Sequence, residues 1–166
     1  MNHRLAAVAA MMFALALAMP TAAQDLASQV VGVWKLKSWE SAVVGSEEKY
    51  RTFGEKPTGY LIFTKGGRLV NVIFGTDRKP PAGPLATEAE SMALLKSLVA
   101  TTGTYKMEGG KIVLAFDGSA NQAMTGTNAI REVTIMGGTM TFKSMPFVSP
   151  VTGKTIVFTA ILDRVE

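Results

Sequence analysis

The sequence predicts an all-β protein: an eight-stranded antiparallel β-barrel with one helix inserted between its third and fourth strands. Gly-Gly occurs three times between runs of β-forming residues, as Lys65-Gly66-Gly67-Arg68, Glu108-Gly109-Gly110-Lys111 and Met136-Gly137-Gly138-Thr139. Long β-rich stretches open and close the folded part of the chain. Only residues 76–101 interrupt this meander.

Each Gly-Gly pair is expected to form a tight hairpin, since glycine at both central positions supplies the positive φ of primed turns. The three hairpins give strands at about 59–65, 68–75, 102–108, 111–117, 129–136 and 139–145, bounded by turn residues and rich in Val, Ile, Phe, Tyr and Thr. An opening strand from Val31 to about Val44 and a closing one from Thr155 to Arg164 bring the number to eight, which closes a small barrel. In the interruption, Lys79-Pro80-Pro81-Ala82-Gly83-Pro84 makes an extended loop. Thr87-Glu88-Ala89-Glu90 then has the form of a capping box. Met92, Leu95, Leu98 and Val99 follow at helical spacing, so a helix is expected over about 87–100. Its apolar face would either cover the open end of the barrel or pack outside it.

The chain begins with His3 and Arg4, an apolar run from Leu5 to Met19, and Pro20-Thr21-Ala22-Ala23. This is the three-part pattern of a secretory signal peptide, and the run of about 15 apolar residues is shorter than the ~20 needed to span a bilayer. Cleavage is expected after Ala23, leaving residues 24–166 as one exported domain, periplasmic or extracellular. Arg4 and the only histidine leave with the leader, so sixteen basic residues then face thirteen acidic ones.

A balance of +3, with the basic residues scattered, does not form the basic groove that nucleic acid requires. The chain has no cysteine. Disulfides are impossible, and the domain relies on its core. Without Cys or a mature His, Ser-His-Asp and Cys-His catalysis are excluded, zinc and copper lack their usual ligands, and the acidic residues are too dispersed for a calcium loop. No metal or cofactor is expected. Stable membrane insertion is not expected either: as an outer-membrane barrel, the chain would turn Lys35, Lys37, Lys106, Glu132 and Lys143 toward lipid.

Hairpin registers assign the faces, because directly opposed residues share a face and one step switches it. The Gly137-Gly138 turn sets Glu132 opposite Lys143 and Thr134 opposite Thr141, leaving Val133, Ile135, Met140, Phe142, Arg131 and Ser144 inside. The Gly109-Gly110 turn leaves Gly103, Tyr105, Met107, Ile112, Leu114 and Phe116 inside. In the opening strand, Lys35 and Lys37 alternate with Trp34, Leu36, Ser38 and Glu40, so those four are expected to face in. The Gly66-Gly67 hairpin does not discriminate between its faces, with a lean toward Tyr60 and Asn71 inside. Glu40 and Arg131 are thus inward charges of opposite sign, costly unless they pair with each other or meet a ligand.

Gly32-Val33-Trp34 resembles the Gly-x-Trp signature of lipocalins. The run Gly32-Val33-Trp34-Lys35-Leu36-Lys37-Ser38-Trp39-Glu40, followed by Phe53-Gly54-Glu55-Lys56-Pro57-Thr58-Gly59-Tyr60-Leu61, resembles the bacterial lipocalin-like domain family, and the likeness extends over nearly all of residues 31–165. It implies a calycin-type barrel with an internal cavity. It also implies that Arg164, near the end of the last strand, packs over Trp34 as a cation–π closure. Relatives often carry a histidine on the strand after the Tyr105 hairpin, where this chain has Leu114 and Ala115.

Three functions remain open. The first is an exported protein that binds a small hydrophobic molecule, with Glu40, Tyr105 and Arg131 as polar contacts and Leu36, Met107, Leu114, Phe116 and Phe142 among the lining. The second is an isomerase or cyclase acting on an apolar substrate with Glu40 as acid or base. The third is a ligand-free structural module whose barrel is filled by its own side chains.

Overall fold

The computed structural model describes residues 22–150 and 152–166. The expected signal peptide, residues 1–23, lies outside them but for its last two residues, whose backbone opens a helix. The elements are α1 (Ala22–Val30), β1 (Gly32–Val43), β2 (Lys49–Tyr50), β3 (Thr58–Phe63), β4 (Arg68–Phe74), α2 (Glu88–Lys96), β5 (Leu98–Glu108), β6 (Lys111–Ser119), a 3-10 turn (Gln122–Met124), β7 (Asn128–Met136), β8 (Thr139–Ser144), β9 (Phe147–Val148) and β10 (Thr155–Arg164). The eight long strands β1, β3, β4, β5, β6, β7, β8 and β10 follow one another around an antiparallel barrel, and β10 pairs back onto β1 to close it. The two-residue strands β2 and β9 extend β1 and β10.

Connection length makes the two ends of this barrel unlike. The three hairpin turns gather at one end with the start of β1 and the end of β10, while the long connections 44–57, 75–97, 120–127 and 145–154 gather at the other. At the hairpin end, Trp34 is fully buried and its indole Nε1 donates to the Val30 carbonyl at 2.8 Å, fixing α1 across the opening. The Arg164 guanidinium lies 4.1 Å from the centre of the Trp34 ring and donates to the carbonyls of Val31, at 2.8 Å, and Gln29. Gly32 allows this close approach. It sits at φ 142°, and a Cβ there would come within 2.4 Å of the Glu166 carbonyl oxygen. The hairpin end is sealed.

The hairpins are of two kinds. Gly109 and Gly110 (φ 56° and 78°) and Gly137 and Gly138 (φ 55° and 83°) form two-residue turns that set Glu108 opposite Lys111 and Met136 opposite Thr139. At the first pair the expected tight turn is absent. Only Gly67 has a positive φ, and Thr64 and Arg68 close a three-residue loop, with Thr64 N donating to Arg68 O and Gly67 N to Thr64 O, each at 3.0 Å. The added loop residue shifts the register by one. Leu61, Phe63, Leu69, Asn71 and Ile73 therefore share the inner face, and Tyr60 turns outward, against the lean toward an inward position.

The helix α2 follows β4 and carries the capping box, with Glu90 N donating to Thr87 Oγ1 and Thr87 N to Glu90 Oε2. The Thr87 and Ala82 amides and the Thr87 hydroxyl donate to the Glu90 carboxylate and hold it below its usual pKa range. The helix stops at Lys96 rather than near 100, because Leu98, Val99 and Ala100 pair with Phe74, Ile73 and Val72, and ladder bonds to β4 replace the last helical turn. None of its residues is buried, and Met92 and Leu95 are exposed.

These turn conformations set an order among the glycines. Gly109→Ala and Gly137→Ala are expected to cost about 1 kcal/mol or more each, because alanine is strained at positive φ, while Gly66→Ala stays within about 0.5 kcal/mol. Urea unfolding of the three variants measures this, and equal losses at Gly66 and Gly109 would contradict the two-kind assignment.

Candidate binding site

The inner wall follows from strand parity. Leu36, Ile112, Leu114, Phe116, Val133, Met140 and Phe142 are buried within it, and Tyr105 and Met107 are partly buried against them. Aromatic rings run through the interior from the sealed end toward the loops. Tyr105 meets Phe63 edge-on at 4.8 Å, Phe63 lies 6.3 Å from Phe142, and Phe142 lies 6.4 Å from Phe158. Trp39 stacks on Phe158 at 3.9 Å, and Phe147, in β9 at the loop end, meets the same ring edge-on at 6.1 Å. The sealed half is packed with the chain's own side chains. Hollows of about 320 and 300 Å³ lie on the outer wall, the first beside Glu40, Lys49, Lys143 and Thr159, the second beside Val72, Ala100 and Thr102.

Glu40 does not point inward. A β-bulge between Leu36 and Ser38 adds one residue to β1, so the alternation that keeps Trp34 and Leu36 inside changes phase. Trp39 and Ser41 then face in, while Glu40 turns outward beside Thr159, half exposed and 3.5 Å from Lys49. Glu40 cannot meet Arg131. Tyr105 is inside, but its hydroxyl donates to the Thr64 carbonyl at 2.8 Å and so pins the three-residue loop. Desolvation pushes the pKa of this phenol above its usual range.

Arg131 points inward, opposite Ser144 on β8. Its guanidinium lies 5.1 Å from the centre of the Phe158 ring and donates to the Ile130 carbonyl at 2.9 Å, and its buried Nε has no hydrogen-bond partner. Burial lowers its pKa to about 10. Among the described residues, no carboxylate forms an ion pair with it.

Other buried polar atoms without partners accompany it: Asn71 Oδ1 and Thr101 Oγ1, which sit opposite each other across β4 and β5, and Tyr50 OH in β2. Sequence reasoning missed Thr101, which fell at the end of the interruption 76–101, just past the expected helix, and Tyr50, which fell in a connection. Alternation past the bulge would have found Trp39. Among the described residues, no group of three His, Cys, Asp or Glu side chains is placed to hold a metal ion. No described helix is long and apolar enough to cross a membrane.

An inward guanidinium without a carboxylate burdens the fold. Its depressed pKa means that burial disfavours the charged form below pH ~10, so this group favours the folded state more as pH rises from there toward the ordinary arginine range. Arg131→Met is therefore expected to raise stability by on the order of 1 kcal/mol at pH 7. Glu40→Gln, on the exposed outer wall, is expected to stay within about 0.5 kcal/mol. Urea unfolding checks both, and a loss of more than about 1 kcal/mol in Arg131→Met would mean that the guanidinium is a structural tie.

A family model described as a lipocalin-like domain matches residues 31–163. No curated protein matches the chain. Among solved structures, an uncharacterized protein from Bacteroides eggerthii DSM 20697 is similar at 14% identity and a TM-score of 0.37, covering 81% of this chain and 98% of its own. With its closed eight-stranded antiparallel barrel and a family match across nearly all of it, this chain belongs to the lipocalin-like domain family.

Proposed function

We propose that this chain is an exported protein that binds a small hydrophobic molecule in the loop-facing half of its barrel. The observation that carries this reading is the group of inward polar atoms without partners, Asn71 Oδ1, Thr101 Oγ1 and Arg131 Nε. A buried polar atom left unpaired costs about 1–3 kcal/mol, so a wall selected for packing alone would hold apolar side chains at these positions. A ligand with one polar group and an apolar body would meet both the orphaned atoms and the aromatic rings. Export rests on the leader pattern of residues 1–23.

Two other readings fare differently. The isomerase or cyclase reading needs Glu40 inside, and with Glu40 on the outer wall it has lost its acid–base group. The ligand-free module is favoured by the aromatic packing of the sealed half. Nile red, a neutral lipophilic fluorophore, separates the remaining two. The binding reading expects saturable, blue-shifted fluorescence from the full protein, and native mass spectrometry of protein purified from its own host should show a bound organic compound. A protein that binds no dye and carries no compound is the ligand-free module.

A further inference from the structure

We infer that the bound molecule is an organic monoanion, whose carboxylate meets Arg131 and whose apolar body lies along Phe158 toward Trp39 and Phe147 at the loop end. This rests on the binding reading above and names the class of ligand.

The charge of the interior points to it. The acidic residues of the barrel strands all face outward and have cations of their own: Glu40 with Lys49, Glu108 with Lys106, Asp117 with Arg68, Glu132 with Lys111 and Lys143, and Asp163 with Lys37. Among the described strand cations, Arg131 is the one that faces the barrel interior without a carboxylate; Lys35, on the outer wall, and Arg164, at the strand end over Trp34, lack one too. The strand neighbours of Arg131 offer nothing ionic. Ile112 is apolar, and the Ser144 hydroxyl already accepts the Phe158 amide at 2.9 Å. The carbonyl of Ile130 takes one donor of the guanidinium, leaving Nε without a partner and the planar fork free to bind a carboxylate through two parallel bonds.

The number of charges sets the class. The lysines and the other arginines of the described strands sit on the outer wall or at the strand ends, so a dianion such as a phosphate monoester would bring a second negative charge into the barrel without a second cation. A monocarboxylate matches a single guanidinium. The rings set the rest, because Arg131 and Phe147 approach the same Phe158 ring, at 5.1 and 6.1 Å, and Phe147 is exposed at the loops. An apolar chain attached to the carboxylate has an aromatic path outward from the anion.

Displacement of Nile red by decanoic acid and by 1-decanol, both below their aggregation limits at pH 7.5, tests this. Wild-type protein should release the dye at about tenfold lower concentration of the acid than of the alcohol, the ratio expected of one charge-assisted contact worth about 1.4 kcal/mol. In Arg131→Met that preference should disappear, because the acid loses about tenfold more than the alcohol does, and Arg131→Lys should recover part of it. A merely structural arginine would weaken acid and alcohol alike. Equal displacement by acid and alcohol in the wild type, with the dye bound, overturns the monoanion inference and leaves the binding reading standing. A preference that survives in Arg131→Met also overturns it. A dye that does not bind at all removes both.

Discussion

The contact between the Arg164 guanidinium and the Trp34 indole ties the last strand to the helix and strand that open the described chain. Trp34 pairs with Leu61 on one side and with Arg164 on the other, so it stands where the sheet's first and last long strands meet. Arg164 also donates to carbonyls at the end of α1, where a helix leaves its carbonyls unpaired and a positive charge is favourable. One buried indole, one cation and one glycine thereby join strand closure to end closure. If that corner opened, β1 and β10 would become the free edges of a sheet, and the inner face would be exposed along with them.

Because that corner seals the hairpin end, the chemistry of the interior is divided along the barrel axis. Large apolar side chains fill the space near Trp34, Leu36, Leu61, Phe63 and Leu162 among them. The orphaned atoms of Tyr50, Asn71, Thr101 and Arg131 belong to β2, the middle of β4 and the loop-facing parts of β5 and β7. A barrel of eight strands is narrow enough that its own side chains can fill it or share it with one small guest. Here one half is filled, and the polar inventory of the other is incomplete.

Strand parity explains what could be read from the residues and what could not. The Gly109-Gly110 and Gly137-Gly138 hairpins fix their own register, and the faces of β5 through β8, Arg131 among them, follow from counting residues away from the turn. The same count fails in β1 because the bulge at Leu36 and Ser38 leaves no mark in composition: Lys37-Ser38-Trp39-Glu40 is equally compatible with either phase. It fails at Gly66-Gly67 for a different reason. Two- and three-residue loops can be built from the same residues, and only the hydrogen bonds of Thr64 choose between them. The capping box of α2 was legible because it is local, whereas the helix end was not, since partners on β4 decide where β5 begins. The expected signal peptide takes in only Ala22 and Ala23 of α1, residues 24–30 carry no expected element, and the helix is held by a local tie to Trp34 and a long-range one to Arg164.

The capping box has a second aspect. Residues 75–97 are held largely by bonds within their own loop: Glu90 to Thr87 and Ala82, and Arg78 to the Leu94 carbonyl and Ser97. With none of the residues of α2 buried, the burial that stabilises the barrel contributes almost nothing there. Apart from the bonds of Thr76 to Phe53 and Lys56, the segment has few ties to the rest of the chain, the condition under which a loop is expected to open locally while the ladders stay intact. Amide hydrogens in α2 would then exchange through local opening, on a timescale set by the loop rather than by global unfolding, and the barrel's loop end could change shape at little cost to the whole.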